Sequence, residues 1–226
     1  MGYKRYNNHH PGLVKKRRIP LNNKFLFIFT IVLFCMSTSL ATAADLSGKV
    51  SPQGLRRADN ILVYLTKTSE FSKPPQNEFV MDQNDLTFLP HVLVIPRDGI
   101  VSFPNSDKVA HNVFSLSRTK KFNFGSYKPG QSHKVTFDKP GIVELRCDVH
   151  AEMIAYILVM KSPYYALTDK KGDFKIDITD LDTGKYYLKT WHEKLKNRKI
   201  ALDLTQAESK AITIKLKRGA PGVLYK

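Results

Sequence analysis

Seven residues, Cys147-Asp148-Val149-His150-Ala151-Glu152-Met153, set a thiol, an imidazole and a thioether at three-residue intervals. A second imidazole, His111, lies well upstream and is followed directly by Asn112. Two imidazoles and a thiolate in a trigonal plane, with a thioether as a weak axial bond, suit a single copper ion. Soft sulfur favours Cu(I) and imidazole favours Cu(II), so a site that compromises between them changes little when an electron moves. Zinc is the rival metal, but it takes four N, S or carboxylate ligands and does not use Met. The plain alternatives are an inert buried thiol at Cys147, core packing at Met153, and turn residues at His111 and Asn112.

The cysteine count points the same way. The chain has two, Cys35 and Cys147, and Cys35 falls in an N-terminal stretch that reads as a leader. Residues 1–24 are polar and basic, Phe25–Leu40 is mostly apolar, and Ala41-Thr42-Ala43 follows. That order is the one a secretory signal peptide has, with cleavage expected after Ala43. The apolar run is short for a spanning helix, which needs about 20 residues. Retention of the uncleaved N-terminal segment as a membrane anchor is the alternative. Bulky Phe34 before Cys35 excludes a lipoprotein reading, and Pro20 and Leu21 fit twin-arginine export poorly. The mature chain would then hold one Cys and no internal disulfide, and metal ligation gives that thiol a reason to exist.

Seven basic residues and no acidic ones lie in 1–43, so the formal charge falls from +16 to +9 on cleavage. A basic surface favours an acidic protein or an anionic membrane. Export and the lack of a recognition motif exclude nucleic acid as a partner.

Three ligands at i, i+3 and i+6 cannot lie on one regular strand, because i and i+3 face opposite sides. They require a turn between Ile142–Leu145 and Ile154–Met160, and His111 must arrive on a neighbouring loop. Apolar alternation predicts further strands at Ile61–Leu65, Val92–Ile95, Ile100–Phe103, His133–Phe137, Phe174–Ile178, Lys185–Thr190 and Ile212–Leu216. Asp98-Gly99, Pro129-Gly130, Lys139-Pro140-Gly141, Lys171-Gly172-Asp173 and Thr183-Gly184 mark turns. Short strands with such turns predict an all-β fold. Ser72–Gln76 reads as a boundary loop. His91 and His133 read as structural, and His192 as part of the outer portion of the chain. No His-x-His pairs, Gly-rich phosphate loop or Ser-His-Asp arrangement stands out, so the chain is not expected to be an enzyme.

Residues 77–162 resemble a cupredoxin, closest in pattern to plastocyanin and amicyanin. The resemblance is carried by Gly99-Ile100-Val101-Ser102-Phe103-Pro104-Asn105, then His111-Asn112-Val113, then Lys139-Pro140-Gly141 leading into Cys147. The two-residue gap between His150 and Met153 is similar to the short amicyanin ligand loop. Arg146 departs from the pattern, which has an aromatic or small residue before the Cys. The flanking parts resemble a carboxypeptidase regulatory-like, transthyretin-like sandwich. Leu46–Val50 with Asn60–Leu65 would be its first part, and Ala166–Phe174 with Gly184–Leu188 its remainder. Chains of this build are often labelled methylamine-utilisation proteins.

The resemblance implies a Greek-key cupredoxin sandwich inserted in, or joined to, a second small β-sandwich. The implied parts are 1–43 signal peptide, 44–76 first outer part, 77–162 cupredoxin domain and 163–226 remaining outer part. It implies one type 1 copper per chain on His111, Cys147, His150 and Met153. Asn112 would tie the ligand loops together near the Cys sulfur. The expected function is one-electron carriage in the periplasm, with a c-type cytochrome or a periplasmic dehydrogenase as partner. Copper delivery or storage, or an envelope scaffold with a vestigial copper site, are the other functions the residues allow.

Overall fold

The computed structural model describes residues 44–70, 77–204 and 209–224. The expected leader 1–43, with its anchor alternative and Cys35, lies outside the described residues, as does the boundary loop Ser72–Gln76. Every regular element among the described residues is a strand. The first two are β1 (Asp45–Pro52) and β2 (Leu62–Thr66). Ten follow: β3 (Glu78–Val80), β4 (Asp82–Asn84), β5 (Thr87–Leu89), β6 (Val92–Pro96), β7 (Gly99–Pro104), β8 (His111–Ser115), β9 (Phe122–Tyr127), β10 (Ser132–Phe137), β11 (Gly141–Arg146) and β12 (Ile154–Met160). The last five are β13 (Tyr165–Leu167), β14 (Asp173–Asp177), β15 (Gly184–Trp191), β16 (Lys199–Leu204) and β17 (Lys210–Leu216).

The strands pair in two groups. β1 lies between β14 and β17, and β2 lies between β13 and β15, with β16 beyond β15. The middle strands form a five-stranded sheet β6-β12-β11-β8-β9, a three-stranded sheet β10-β7-β3 and the β4-β5 hairpin. Among the described residues, no sheet mixes middle strands with outer ones. The chain therefore leaves the outer sheets after β2 and returns to them at β13.

Three cores follow from this stacking. Leu46, Val50, Phe174, Ile176, Leu188 and Ile214 belong to the outer core. Val101, Phe103, Phe137, Val143, Leu145 and Ile157 belong to the middle core. The third joins the two groups, with Leu62, Tyr64 and Trp191 from one side and Val92, Leu158 and Met160 from the other.

This joint explains the two least alternating runs in the chain. In β2, Val63 and Leu65 enter the outer core while Leu62 and Tyr64 enter the joint. In β12, Ala155, Ile157 and Val159 enter the middle core while Leu158 and Met160 enter the joint. A strand buried on both faces reads as a continuous apolar run. Burying each large apolar side chain contributes about 1.5–3 kcal/mol. With seven buried residues in the joint, the two sandwiches form one compact unit rather than the loosely hinged pair that small polar interfaces allow.

A charged pair closes one rim of the joint. His91 precedes β6, and its Nε2 lies 3.0 Å from Oε2 of Glu193, which follows β15. The Glu193 side chain is 12% exposed and that of His91 40% exposed. The imidazole holds the Glu193 carboxyl down at about 2, and the carboxylate raises His91 above its usual 6.5. A depressed carboxyl contributes stability above its unfolded value of 4.5, lost as pH falls through about 2. A raised imidazole contributes below 6.5, and that part is lost as pH rises through the folded value. The stability advantage of the native chain over Glu193→Gln should therefore peak between pH 4.5 and 6.5 and shrink on both sides. Urea unfolding of both proteins across pH checks this, and a pH-independent difference would show that the pair is not coupled to folding.

Candidate metal centre

The turn between β11 and β12 carries Cys147, His150 and Met153, and the amide of Met153 donates to the His150 carbonyl at 3.1 Å. Ligating atoms of His111, Cys147 and His150 all lie within 4.8 Å of one another. Such spacing is close to what donors bonded to one ion at about 2.0–2.3 Å would span. His111 is fully buried, Cys147 is 4% exposed and Met153 is 1% exposed; His150 is half-buried. Met153 packs in the same core as Cys147. It also lines a cleft shared with His91, Tyr156 and Glu193, so the outer sandwich reaches the back of the turn.

His111 departs from the loop position expected of it, since it is the first residue of β8. β8 runs beside β11, with Phe114 opposite Arg146, immediately before the Cys. A bulge between Asn112 and Phe114 interrupts the pairing of β8 with β9. Bulges re-aim side chains next to sites, and here three successive residues, His111, Asn112 and Val113, are all buried.

The tie across the site runs through Asn112, but through its backbone. Its amide donates to Cys147 Sγ at 3.5 Å. Its side-chain amide instead donates to Asn123 Oδ1 at 2.8 Å, which holds β8 to β9. Arg146 points outward and pairs with Glu144 at 2.5 Å. His133 stacks on Phe124 with ring centroids 4.6 Å apart, and takes no part in the site.

A buried polar atom left without a partner costs about 1–3 kcal/mol, so both nitrogens of His111 matter. Nε2 meets Asp107 Oδ2 at 2.9 Å, and Nδ1 faces His150 Nδ1 at 3.2 Å. A carboxylate accepts only, so His111 donates from Nε2, and in the neutral ring this leaves the lone pair of Nδ1 toward His150. Two imidazole nitrogens and a thiol thus aim at one small volume, with the tautomer of the buried ring already set for metal binding.

Asp107 was not visible as a site residue from sequence. Its spacing of four before His111 is the one trace it leaves there. Its carboxylate also accepts from the amides of Leu86 at 2.8 Å and Lys108 at 2.6 Å. The Leu86 amide first, and then the His111 ring, hold its carboxyl down at about 2. The segment carrying Asp107 is itself pinned by Asn105. Asn105 donates to Val109 O at 2.9 Å and Tyr127 O at 3.2 Å, and accepts from the Asp107 amide at 3.1 Å. Gln83 donates to the Tyr127 hydroxyl, which donates to Phe103 O at 3.0 Å.

No protein-family model and no curated protein matches this chain. Solved structures similar to it include a copper-containing nitrite reductase from Thermus scotoductus SA-01, at 21% identity and a TM-score of 0.37, over 42% of this chain and 25% of that one. A purple cupredoxin from Nitrosopumilus maritimus is similar at 22% identity and a TM-score of 0.32, over 37% of this chain and 98% of that one. A mutant amicyanin in its reduced Cu(I) form is similar at 18% identity and a TM-score of 0.35, over 43% of this chain and 98% of that one. The match thus spans a quarter of the nitrite reductase, and each covers less than half of this chain.

Carboxylates behind a ligating imidazole fix its direction and raise its basicity, and losing one costs about 10–100-fold in metal affinity. Asp107→Asn keeps the acceptor oxygen but not the charge. It should weaken Cu(II) binding by about tenfold while circular dichroism stays unchanged. Competition with a chelator of known affinity measures this, and an unaltered affinity would leave Asp107 a loop-bracing role only.

Proposed function

We propose that this protein is an exported one-electron carrier with a single type 1 copper centre, held by His111, Cys147 and His150 with Met153 as a weak axial ligand. The observation that carries this reading is the convergence of ligating atoms of His111, Cys147 and His150 within 4.8 Å of one another, with the two Nδ1 atoms 3.2 Å apart. Its donors fit copper through their chemistry: a thiolate and thioether for the reduced ion, imidazoles for the oxidised one. When bound, the ion supplies a reversible Cu(II)/Cu(I) couple.

The side chains support carriage rather than turnover. His111, Cys147 and Met153 are shut away from solvent, which keeps substrates off the ion. Half-buried His150 is the ligand with a solvent-facing edge, and that edge offers an electron the shortest way out. Val149, 53% exposed, stands next to it, and Val109, also exposed, precedes the other histidine by two residues. Small apolar surroundings of this kind suit a weak, transient redox encounter. A c-type cytochrome or a periplasmic dehydrogenase is the partner class we propose, reached by a chain exported through the leader.

The test is spectroscopic and electrochemical. The copper-loaded protein should be blue, from a thiolate-to-copper charge transfer, and Cys147→Ser should be colourless. Met153→Gln should keep one copper and the colour while lowering the reduction potential, because an amide oxygen favours Cu(II). A colourless Cu(II) complex of the unaltered protein would overturn the type 1 assignment. A Met153→Gln protein with an unchanged potential but a lower unfolding temperature would reduce Met153 to core packing.

A further inference from the structure

A second concentration of charged and polar side chains lies at the opposite end of β12 from the candidate metal centre. At about 3.3 Å per residue, Lys161 lies some 25 Å along the chain from Met153. There a cleft of about 370 Å³ opens where the two sandwiches part. Its size falls within the range of about 300–1,000 Å³ typical of small-molecule sites. Sheet geometry explains why it exists. On one face of β15, Trp191 is covered by the joint, whereas Lys189 and Tyr187, at the same two-residue spacing, run out past the cover and line the cleft.

The cleft concentrates positive charge. Lys67, Lys161, Lys189 and Lys199 line it, against one carboxylate, Glu70. Four cations and one anion leave a net charge of +3. Glu70 is already engaged by Arg97 at 3.0 Å and by Lys161 at 3.8 Å. Among the described residues no carboxylate pairs with Lys67, Lys189 or Lys199. Two of these are held together by a ring: Lys199 Nζ lies 3.9 Å from the Tyr187 centroid and Lys67 Nζ 5.0 Å from it. Cation–π contact offsets part of their mutual repulsion, so the fold gathers like charges where solvated lysines would spread apart. Hydroxyls complete the lining, with Thr68 Oγ1 donating to Ser162 Oγ at 2.6 Å.

We propose that this cleft is an anion site for a phosphoryl group, presented by an anionic lipid headgroup or by a soluble phosphate compound. Arg forks hold carboxylates and phosphates alike in pairs, and lysine ammoniums hold phosphate as compact point charges around a centre. The cations facing the cleft are all lysines, which suits a compact tetrahedral anion. Occupation would hold the protein by the end remote from His150 and leave the metal end facing outward. The proposal does not depend on copper.

Full-length protein tested at physiological salt distinguishes the sources. Pyrophosphate binding is measured by calorimetry, and co-sedimentation uses phosphatidylcholine vesicles with and without phosphatidylglycerol. Lys67→Gln with Lys199→Gln should weaken pyrophosphate binding, or binding to the anionic vesicles, by at least about tenfold. Tyr187→Leu, which removes the ring but no charge, should weaken the same binding. Lys121→Gln with Lys139→Gln, an equal charge change on exposed residues of the middle sandwich, should alter it less than about twofold. Loss confined to vesicles identifies a headgroup, and loss confined to pyrophosphate a soluble compound. Equal weakening by the control pair, indifference to Tyr187→Leu, or no loss with either probe would overturn the proposal.

Discussion

The arrangement of this molecule depends on how β8 lies against β11. Phe114 opposite Arg146 sets the register, and the Asn112 amide reaching Cys147 Sγ fixes the thiol against it. One strand brings a buried imidazole and the other ends in the turn that brings the thiol and second imidazole. Shift either by a residue and the side chains exchange faces, so the donors could not meet. The remaining supports act on this contact from outside. Asn105 pins the segment leading into β8, Asp107 orients its first ring, and Asn123 holds Asn112 from the far side.

Much of this was legible in the chain. Cys147, His150 and Met153 announce their turn through spacing that no strand can accommodate. Phe174, Ile176 and Ile178 alternate with polar residues because one face meets a core and the other water. Other features left weaker traces. β8 was hidden because its bulge breaks alternation: His111, Asn112 and Val113 are all buried in succession. β3, β4 and β5 have three residues each, too few for any period to show. Asp107 serves through a contact between side chains, and nothing in an exposed-looking Ser106-Asp107-Lys108 run distinguishes it from a turn acid.

The joint is the feature least legible in the chain, for a physical reason. A run such as Ile61–Leu65 shows that both faces are buried, but not that the second face meets a different sandwich. His91 and Glu193 are 102 positions apart, and their pairing depends on a topology in which the chain leaves the outer sheets and later rejoins them. Isolated residues do not encode such distance. The compositional excess of lysine likewise says nothing of where four of them meet.

The double burial of β12 has a consequence for how such a chain can vary in length. Its odd and even positions serve different cores, from Ala155 at the metal end to Met160 at the joint. An insertion or deletion of one residue anywhere along it would exchange the two sets at once. The ligand turn and the distant seam between sandwiches therefore share a single reading frame. Changes in length are excluded between Ile154 and Met160, and in the ligand turn before them, while the loop after Met160 is where they can be absorbed. Diversity of the metal end and diversity of the outer sandwich can then accumulate separately, on either side of a strand that conserves its parity.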